Sequence, residues 1–141
     1  MRVMSAEEAR AFLAEGARTA HVATTRADGS PHVVPVWYLV DGDALVFTCA
    51  RDSVKGRNLA RDPRVAIAVD DDRFPYAFAT VSGRAEIAER PDDFLAWTTR
   101  IARRYVGPER AEHYGAQNFR LDDLLVRVPL ERLYGGADVA D

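Results

Sequence analysis

The spacing of hydrophobic positions changes along this chain, and each change marks a boundary between predicted elements. Near the N-terminus, apolar residues from Ala9 to Leu13 recur every three to four positions, which is the period of an amphipathic helix. Ser5 and Glu8 precede them with the spacing of a capping box, in which each side chain bonds the other residue's backbone N–H. The pattern therefore predicts a first helix that begins after Ser5 and ends near Gly16.

Beyond this helix, runs rich in β-branched and aromatic residues alternate with short turns that contain glycine and aspartate. Such runs predict strands, and short connections between consecutive strands predict antiparallel pairing. The predicted strands cover residues 21–24, 31–40, 45–49, 64–69, 76–87 and 124–128. The run at 76–87 is long enough to bend, and Gly83 is the expected position of a bulge.

Two further helices are predicted between the strands. Ser53 is a favourable N-cap for a short helix that stops at Asp62-Pro63. Pro91 begins a longer helix, since proline is favoured in the first helical turn. An apolar and aromatic stripe follows at three- and four-residue steps: Phe94, Trp97, Ile101 and Tyr105. We interpret this stripe as core packing, with a ligand-contacting face as the alternative.

The composition fits a single domain, residues 1–141, built as an antiparallel β-barrel with two or three peripheral helices. Because the formal net charge is −3, neither nucleic acid nor a membrane is an expected partner. One cysteine and three dispersed histidines predict no metal site, and the acidic run at 70–72 is interpreted as a solvated loop. The lack of a signal-peptide pattern and of a long apolar run predicts a cytoplasmic protein.

Positive charge is concentrated in one segment. Residues 51–64 contain five basic and two acidic side chains, and Lys55 is the only lysine among the 19 basic residues of the chain. Polar or positive side chains surround the predicted helix start there: Ser53, Lys55, Arg57 and Asn58. Free backbone amides and the helix dipole add to the attraction for a phosphate, Gly56 would admit a ligand oxygen, and Thr48 offers another hydroxyl. The segment predicts a small-anion site, and an exposed basic helix start without a ligand is the alternative.

No catalytic constellation accompanies this segment. The chain has no Gly-x-Ser-x-Gly motif, no Cys–His pair and no carboxylate pair at a recognisable spacing. His32 lies on a predicted strand and is interpreted as a partly buried histidine rather than a base. We therefore expect any reaction chemistry to belong to a cofactor that the protein binds and orients.

A series of short motifs extends over nearly the whole chain, from about Leu13 to Gly135. In order, they are Val22-Ala23-Thr24-Thr25, Asp28-Gly29-Ser30-Pro31-His32, Val34-Pro35-Val36-Trp37-Tyr38, Phe47-Thr48, Lys55-Gly56-Arg57-Asn58-Leu59, Asp62-Pro63-Arg64-Val65 and Gly83-Arg84-Ala85. Together they resemble the pyridoxamine 5'-phosphate oxidase-like split β-barrels. They are most similar to the actinobacterial branch of that family, which uses the deazaflavin coenzyme F420.

The resemblance implies a homodimer with two cofactor sites in grooves between the subunits. It places the phosphate end of the cofactor at Thr48, Ser53, Lys55, Arg57 and Asn58. It places the cofactor ring along Val34, Pro35, Val36 and Trp37. It implies that the other subunit contributes Phe74, Pro75 and Tyr76, and that residues 131–135 lie near the dimer interface.

One departure from the family pattern bears on the choice between F420 and FMN. The pyridoxamine phosphate oxidases proper carry additional basic residues on the strand before the phosphate-binding segment, whereas this strand has Val33, Val34 and Pro35. The departure counts against pyridoxamine phosphate oxidation and, less strongly, against FMN, which stays the alternative to F420.

The resemblance implies hydride transfer from reduced F420 to a small conjugated acceptor, such as a quinone, an enone or a linear tetrapyrrole. Tyr38, Tyr76 and His32 are candidates for a proton donor, and none is assigned as the catalytic acid. The alternatives are an FMN-dependent flavoprotein, a protein that binds F420 or haem without turnover, and a structural dimeric barrel that binds nothing anionic.

Overall fold

Strands supply most of the regular structure, and four helices accompany them in the described part of the chain. The computed structural model describes residues 1–89, 91–120 and 122–141. In chain order the elements are β1 (Arg2–Val3), α1 (Ala6–Ala14), β2 (Ala20–Thr25), β3 (Pro31–Val36), β4 (Leu39–Asp41), β5 (Ala44–Ala50), α2 (Val54–Arg61), β6 (Arg64–Asp71), β7 (Ala77–Arg84), β8 (Glu86–Glu89), α3 (Phe94–Val106), α4 (Ala111–Gln117), β9 (Asp123–Pro129) and β10 (Arg132–Ala137). The prediction of a mainly β fold with peripheral helices is confirmed, with one helix more than expected.

The strands form two antiparallel sheets. The larger sheet has the order β1-β10-β7-β6-β2-β3, and the smaller sheet has the order β4-β5-β9-β8. Consecutive strands pair in β2–β3, β4–β5 and β6–β7, as short turns predict. The chain passes from the larger to the smaller sheet between β3 and β4 and between β7 and β8. It returns between β5 and β6 and between β9 and β10, so both sheets contribute to one core.

The first change of sheet divides the strand predicted at residues 31–40. Tyr38 lies at the break and is fully buried; its hydroxyl donates a hydrogen bond to the carbonyl oxygen of Leu13 at 2.6 Å. Its backbone N–H donates to the hydroxyl of Tyr105 at 3.1 Å instead of to a neighbouring strand. The prediction of one continuous strand is wrong here, because these distant partners turn the backbone out of the first sheet.

The change of sheet between β7 and β8 divides the strand predicted at residues 76–87. The break falls at Ala85, whose N–H donates to the carbonyl oxygen of Pro63 at 2.8 Å. Gly83 pairs with Val65 in an uninterrupted β6–β7 register, so the bulge expected at Gly83 is absent.

Two strands were not predicted. β10 contains the Gly135-Gly136 pair, and glycine is depleted in strands because it adds no packing surface. Here the missing side chains make room: a Cβ on Gly135 would lie 2.7 Å from the Sδ of Met4, and one on Gly136 would lie 2.8 Å from the ring of Phe78. β1 pairs with this strand over two residues.

The capping patterns place the starts of α1 and α2 correctly. Ser5 and Glu8 form both bonds of the capping box, with the backbone N–H of Glu8 donating to the Ser5 hydroxyl at 3.1 Å. α3 begins at Phe94 rather than at Pro91, and the carbonyl oxygen of Pro91 accepts the Phe94 N–H in a turn before the helix. No helix in residues 1–89, 91–120 and 122–141 has the length and apolar character needed to cross a bilayer.

The acidic run at residues 70–72 is not a solvated loop throughout. Asp70 and Asp71 belong to β6, and the carboxylate of Asp71 accepts hydrogen bonds from Arg73 at 2.7 Å and from Arg18 at 2.9 Å. These two guanidinium groups, chiefly Arg73, hold the pKa of Asp71 well below its ordinary value. The run therefore anchors the β6–β7 connection to the segment after α1.

The core lies between the two sheets and is closed by α1 and α2. Its largest fully buried side chains include Leu13, Tyr38, Phe47, Leu59 and Val126. A smaller cluster on the outer face of the second sheet joins Val46 of β5 and Leu125 of β9 to Phe94 of α3. The burial of Phe94 in this cluster confirms core packing for the start of the predicted stripe, whereas Ile101 is buried but lines the pocket described below.

β3 is an edge strand of the larger sheet. It pairs with β2 from Thr25↔Pro31 to Ala20↔Val36, and its other side has no neighbouring strand among the described residues. Pro31, Val33 and Pro35 are the exposed positions of its burial pattern. β3 ends beside the pocket described next.

Candidate ligand-binding site

A pocket of about 490 Å³ lies where the ends of β3 and β5 meet the first turn of α2. One wall is apolar and consists of Pro35, Val36, Trp37 and Ile101. Polar groups occupy much of the remaining wall, including Thr48, Lys55, Arg120 and Asp123. The volume lies within the usual range for small-molecule sites, and one apolar wall with a few polar groups is their usual lining.

Helix α3 fixes the position of Trp37 through a contact with its ring. Its ring stacks on that of Tyr105, with centroids 4.8 Å apart and planes 5° from parallel. The Tyr105 hydroxyl accepts the N–H of Tyr38 at 3.1 Å and donates to the carbonyl oxygen of Arg18 at 2.8 Å. Because both hydrogen bonds and the ring stacking hold this pair, Trp37 forms a rigid surface of the pocket.

Lys55 supplies a positive charge to the lining of the same pocket. Its side chain is partly buried and lines the pocket, and its ammonium makes no hydrogen bond or ion pair with any described residue. An ammonium has three N–H donors, all of which remain available to a ligand. Thr48, at the end of β5, places its side chain on the same pocket.

Ser53 begins α2 and uses its hydroxyl within the protein. The hydroxyl oxygen accepts the N–H of Gly56 at 3.1 Å and donates to the carbonyl oxygen of Ala50 at 2.6 Å. This N-cap fixes the first turn of the helix and thereby the position of Lys55. Ser53 itself does not line the pocket.

Gly56 has a packing role in the structure that the sequence did not predict. A Cβ at this position would collide with the carbonyl oxygens of Ala50 and Arg51, which belong to the protein's own β5–α2 connection. The glycine therefore permits close packing of the helix start against the end of β5, and no ligand atom is needed to explain it.

Asn58 is buried and fully engaged inside the protein. Its Nδ2 donates to the hydroxyl of Thr24 at 3.0 Å, and its Oδ1 accepts from the Arg61 guanidinium at 3.2 Å. Arg57 is exposed on the same helix, and Val34 pairs with Val22 in the sheet; none of the three lines the pocket. Within one chain, the structure therefore brings together Pro35, Val36, Trp37, Thr48 and Lys55.

Phe74 and Tyr76 lie in a separate place on the surface. Phe74 is 73% and Tyr76 44% exposed, and their rings meet edge to face with centroids 6.0 Å apart. They line a shallow groove beside Ala137 and Asp138 rather than the pocket of their own chain. Their expected contribution to the site of another subunit stays a prediction.

The three candidates for a proton donor lie outside the pocket lining. The Tyr38 hydroxyl is bonded in the core, and burial raises the pKa of this phenol. Tyr76 belongs to the separate surface groove. The Nδ1 of His32 is buried on β3 and has no hydrogen-bond partner among the described residues.

Sequence reasoning missed Asp123. This residue begins β9 opposite Ala50, is 5% exposed and lines the pocket, and its Oδ1 has no partner among the described residues. Burial, the largest influence, raises the pKa of its carboxyl. The only local signal was an aspartate directly before an apolar strand, which is also typical of a surface turn. Described His, Cys, Asp and Glu residues form no group suited to a metal ion.

Two antiparallel sheets that share one core, with a pocket at the ends of β3 and β5, define the split β-barrel class. The sequence model described as Pyridoxamine 5'-phosphate oxidase matches residues 5–126. The chain belongs to this family, as its motifs predict.

Solved structures agree with this assignment. A conserved hypothetical protein from Mycobacterium tuberculosis is 29% identical, with 96% of this chain and 86% of that chain covered and a TM-score of 0.82. A protein named F420 reductase is 31% identical, with 86% of this chain and 93% of that chain covered and a TM-score of 0.70. An FAD-binding protein from Mycobacterium smegmatis, 20% identical with a TM-score of 0.66 and coverage of 96% and 98%, shares the fold.

Proposed function

We propose that this protein is an F420-dependent reductase that delivers a hydride to a small conjugated acceptor, such as a quinone, an enone or a linear tetrapyrrole. The observation that carries the proposal is the pairing, in one pocket, of a fixed aromatic wall at Trp37 with the unpaired ammonium of Lys55. The 31% identity to a protein named F420 reductase supports the choice of cofactor.

The pocket suits a planar ring attached to an anionic chain. Pro35, Val36 and Trp37 offer an apolar surface to the ring, and Lys55 with Thr48 offers donors to a phosphate. A charge-assisted hydrogen bond in such a partly buried place contributes about 1.5–3 kcal/mol to binding. The arrangement therefore fits the two chemically different ends of a deazaflavin cofactor.

When bound, reduced F420 supplies the hydride at its ring. The contribution of this chain is to bind the cofactor and to orient its ring. Trp37, held by Tyr105, fixes the face on which the ring lies, and Lys55 fixes the anionic end. The apolar wall would cover one face of the ring and so limit the access of competing water to that face.

A second copy of the chain completes the site in this proposal. Large apolar side chains are exposed on the surface, among them Val33 at 64%, Phe74 at 73% and Tyr134 at 43%. Association of two copies would cover such residues and would bring Phe74 and Tyr76 to the neighbouring pocket. Sedimentation equilibrium tests the homodimer, and a monomer at micromolar concentration would contradict it.

FMN is the second candidate cofactor. Arg120 lines the pocket and supplies a guanidinium, a group that strand β3 (residues 31–36) lacks. A guanidinium binds a terminal phosphate, such as that of FMN, through paired hydrogen bonds. The fold is also that of an FAD-binding protein.

A titration with F420 and with FMN separates the candidates, with quenching of the ligand fluorescence as the readout. We expect F420 to bind more tightly, and reduced F420 to be oxidised only when a quinone or enone acceptor is added. Tighter binding of FMN would identify a flavoprotein. Tight F420 binding without acceptor-dependent oxidation would identify a binding protein without turnover.

A further inference from the structure

Asp123 is a buried carboxyl group inside the ligand pocket. It is the first residue of β9, pairs with Ala50 and lines the same cavity as Lys55. Asp123 is 5% exposed as a whole residue. Its Oδ1 has neither solvent contact nor a hydrogen-bond partner among the described residues. An ionised carboxylate with an unpartnered oxygen in this state is costly, so the surroundings of Oδ1 favour the neutral carboxylic acid, and Oδ2 is the oxygen through which the group can meet a ligand in the cavity.

The surroundings of Asp123 contain charges of both signs. Lys55 on α2 and Arg120 in the segment before β9 favour the ionised carboxyl, whereas its neighbour Asp122 and Asp52 in the β5–α2 connection disfavour it. Cys49 of β5 also faces this group, and burial raises the pKa of its thiol to about 11, so the thiol stays neutral. Burial outweighs the two positive groups and raises the pKa of Asp123.

An anionic ligand strengthens this preference. A phosphate held by Lys55 would lie in the same cavity as Asp123, where two negative charges repel each other more strongly than in water. A neutral carboxylic acid, by contrast, has an O–H donor that a phosphate oxygen accepts. The same side chain thus opposes an anion in one protonation state and binds it in the other.

We propose that Asp123 is a ligand-binding residue that contacts the anionic part of the ligand as a carboxylic acid, donating its O–H while Lys55 provides the charge. The ligand class is a phosphate-bearing ring cofactor, and F420 and FMN share this chemistry. The proposal rests on the proposed function only in that the pocket binds such a cofactor. Binding then takes up a proton whenever the free protein holds Asp123 ionised.

The test is isothermal titration calorimetry with F420 and with FMN from pH 5 to pH 9, in pairs of buffers with different ionisation enthalpies. Asp123→Asn is the matched variant, because its amide keeps the shape and a donor but cannot ionise. Asp123→Ala removes the donor as well. Thermal unfolding of each variant verifies that it is folded at the temperature of the titration.

We expect the wild type to take up more protons than Asp123→Asn on binding the same ligand, and its affinity to fall about tenfold per pH unit above the pKa of Asp123, relative to the variant. At high pH, Asp123→Asn binds more tightly than the wild type, and Asp123→Ala binds more weakly than Asp123→Asn at every pH. Subtraction of the Asp123→Asn profile removes the ligand's own titration.

Parallel pH profiles for wild type and Asp123→Asn would overturn the proposal, as would binding of neither ligand. The two proposals fail separately. FMN binding with proton uptake, without F420 binding, contradicts the reductase but supports Asp123. Oxidation of reduced F420 by an acceptor, with parallel pH profiles, supports the reductase but contradicts Asp123.

Discussion

Trp37 and Tyr105 stack face to face, with their ring centroids 4.8 Å apart. Tyr105 lies 67 positions after Tyr38, the residue that follows Trp37. Tyr105 belongs to α3, and its hydroxyl also bridges the backbone of Tyr38 and Arg18. Through this one side chain, the helix fixes both the break between β3 and β4 and the aromatic wall of the pocket.

Replacement of Tyr105 by leucine removes both the stacking and the hydroxyl, so we expect weaker cofactor binding together with lower stability. Tyr105→Phe is the matched control, since it keeps the ring. It should lose about 1–2 kcal/mol of unfolding free energy from the missing hydrogen bonds, with cofactor affinity nearly unchanged. Urea unfolding and ligand titration check the two quantities, and equal affinity loss in both variants would contradict a role for stacking.

Lys55→Ala should weaken F420 binding by about 1.5–3 kcal/mol, because it removes a charge-assisted hydrogen bond. Lys55→Arg should also bind more weakly, since a planar guanidinium does not reproduce a compact ammonium. Arg51→Ala is the control for loss of positive charge. Arg51 lies outside the pocket lining and forms an exposed pair with Glu89 at 3.0 Å. Fluorescence titration should show near wild-type affinity for this control, and an effect equal to that of Lys55→Ala would contradict the site.

Gly56→Ala should destabilise the protein by about 1–3 kcal/mol, because the added methyl group meets two backbone carbonyls that cannot move freely. Gly83→Ala is the control: its Cβ would have no neighbour within 4 Å. Alanine in a strand is no less favourable than glycine, so this control should be neutral or slightly stabilising. Chemical denaturation measures both changes. Equal stability of the two variants would sink the packing explanation.

Asn58→Ala should lower stability by about 1–3 kcal/mol in the absence of any ligand, because it leaves the buried Thr24 hydroxyl without its partner and removes one of the two acceptors of the Arg61 guanidinium. Arg57→Ala, one position earlier on the exposed face, should change stability by less than about 0.5 kcal/mol. If Asn58→Ala is as stable as the wild type but binds the cofactor more weakly, Asn58 contacts the cofactor phosphate, as the family resemblance implies, and the structural role is wrong.

The lowered pKa of Asp71 leads us to expect that the folded protein loses stability in acid. Its pKa is lowered in the folded protein by Arg73 and Arg18, so the folded state favours the ionised form. The resulting stabilisation is present above the ordinary aspartate pKa and disappears as the pH falls through that range towards the lowered value. Asp71→Asn should therefore be less stable than the wild type at pH 7 and converge with it in acid. Thermal melts across this range, with Asp72→Asn as the control, check the convergence.

Local signals were sufficient for elements whose ends are stabilised by neighbouring residues. The caps at Ser5 and Ser53 bond N–H groups three positions away, so the sequence contains their whole interaction. The predictions of continuous strands at residues 31–40 and 76–87 were wrong for the opposite reason. Their composition favours strand throughout, and the breaks at Tyr38 and Ala85 depend on bonds to distant residues.

The same distinction explains the pocket. Lys55 and Trp37 were identified from motifs in which their neighbours supply the context. Asp123 has ordinary neighbours, and its burial depends on Ala50 and on segments that the fold alone brings beside it. The unusual environment of this carboxyl is a property of the tertiary structure and has no signature in the local sequence.

The open edge of β3 has few donors for pairing with a strand of another molecule. Successive N–H groups of a strand face opposite sides, so positions 31, 33 and 35 share the side directed away from β2. Two of these positions are proline, and only Val33 retains an N–H there. An exposed apolar edge with a full set of donors is a template for intermolecular sheets. Pro35, which borders the ligand pocket, therefore also makes this edge a poor template for an intermolecular sheet.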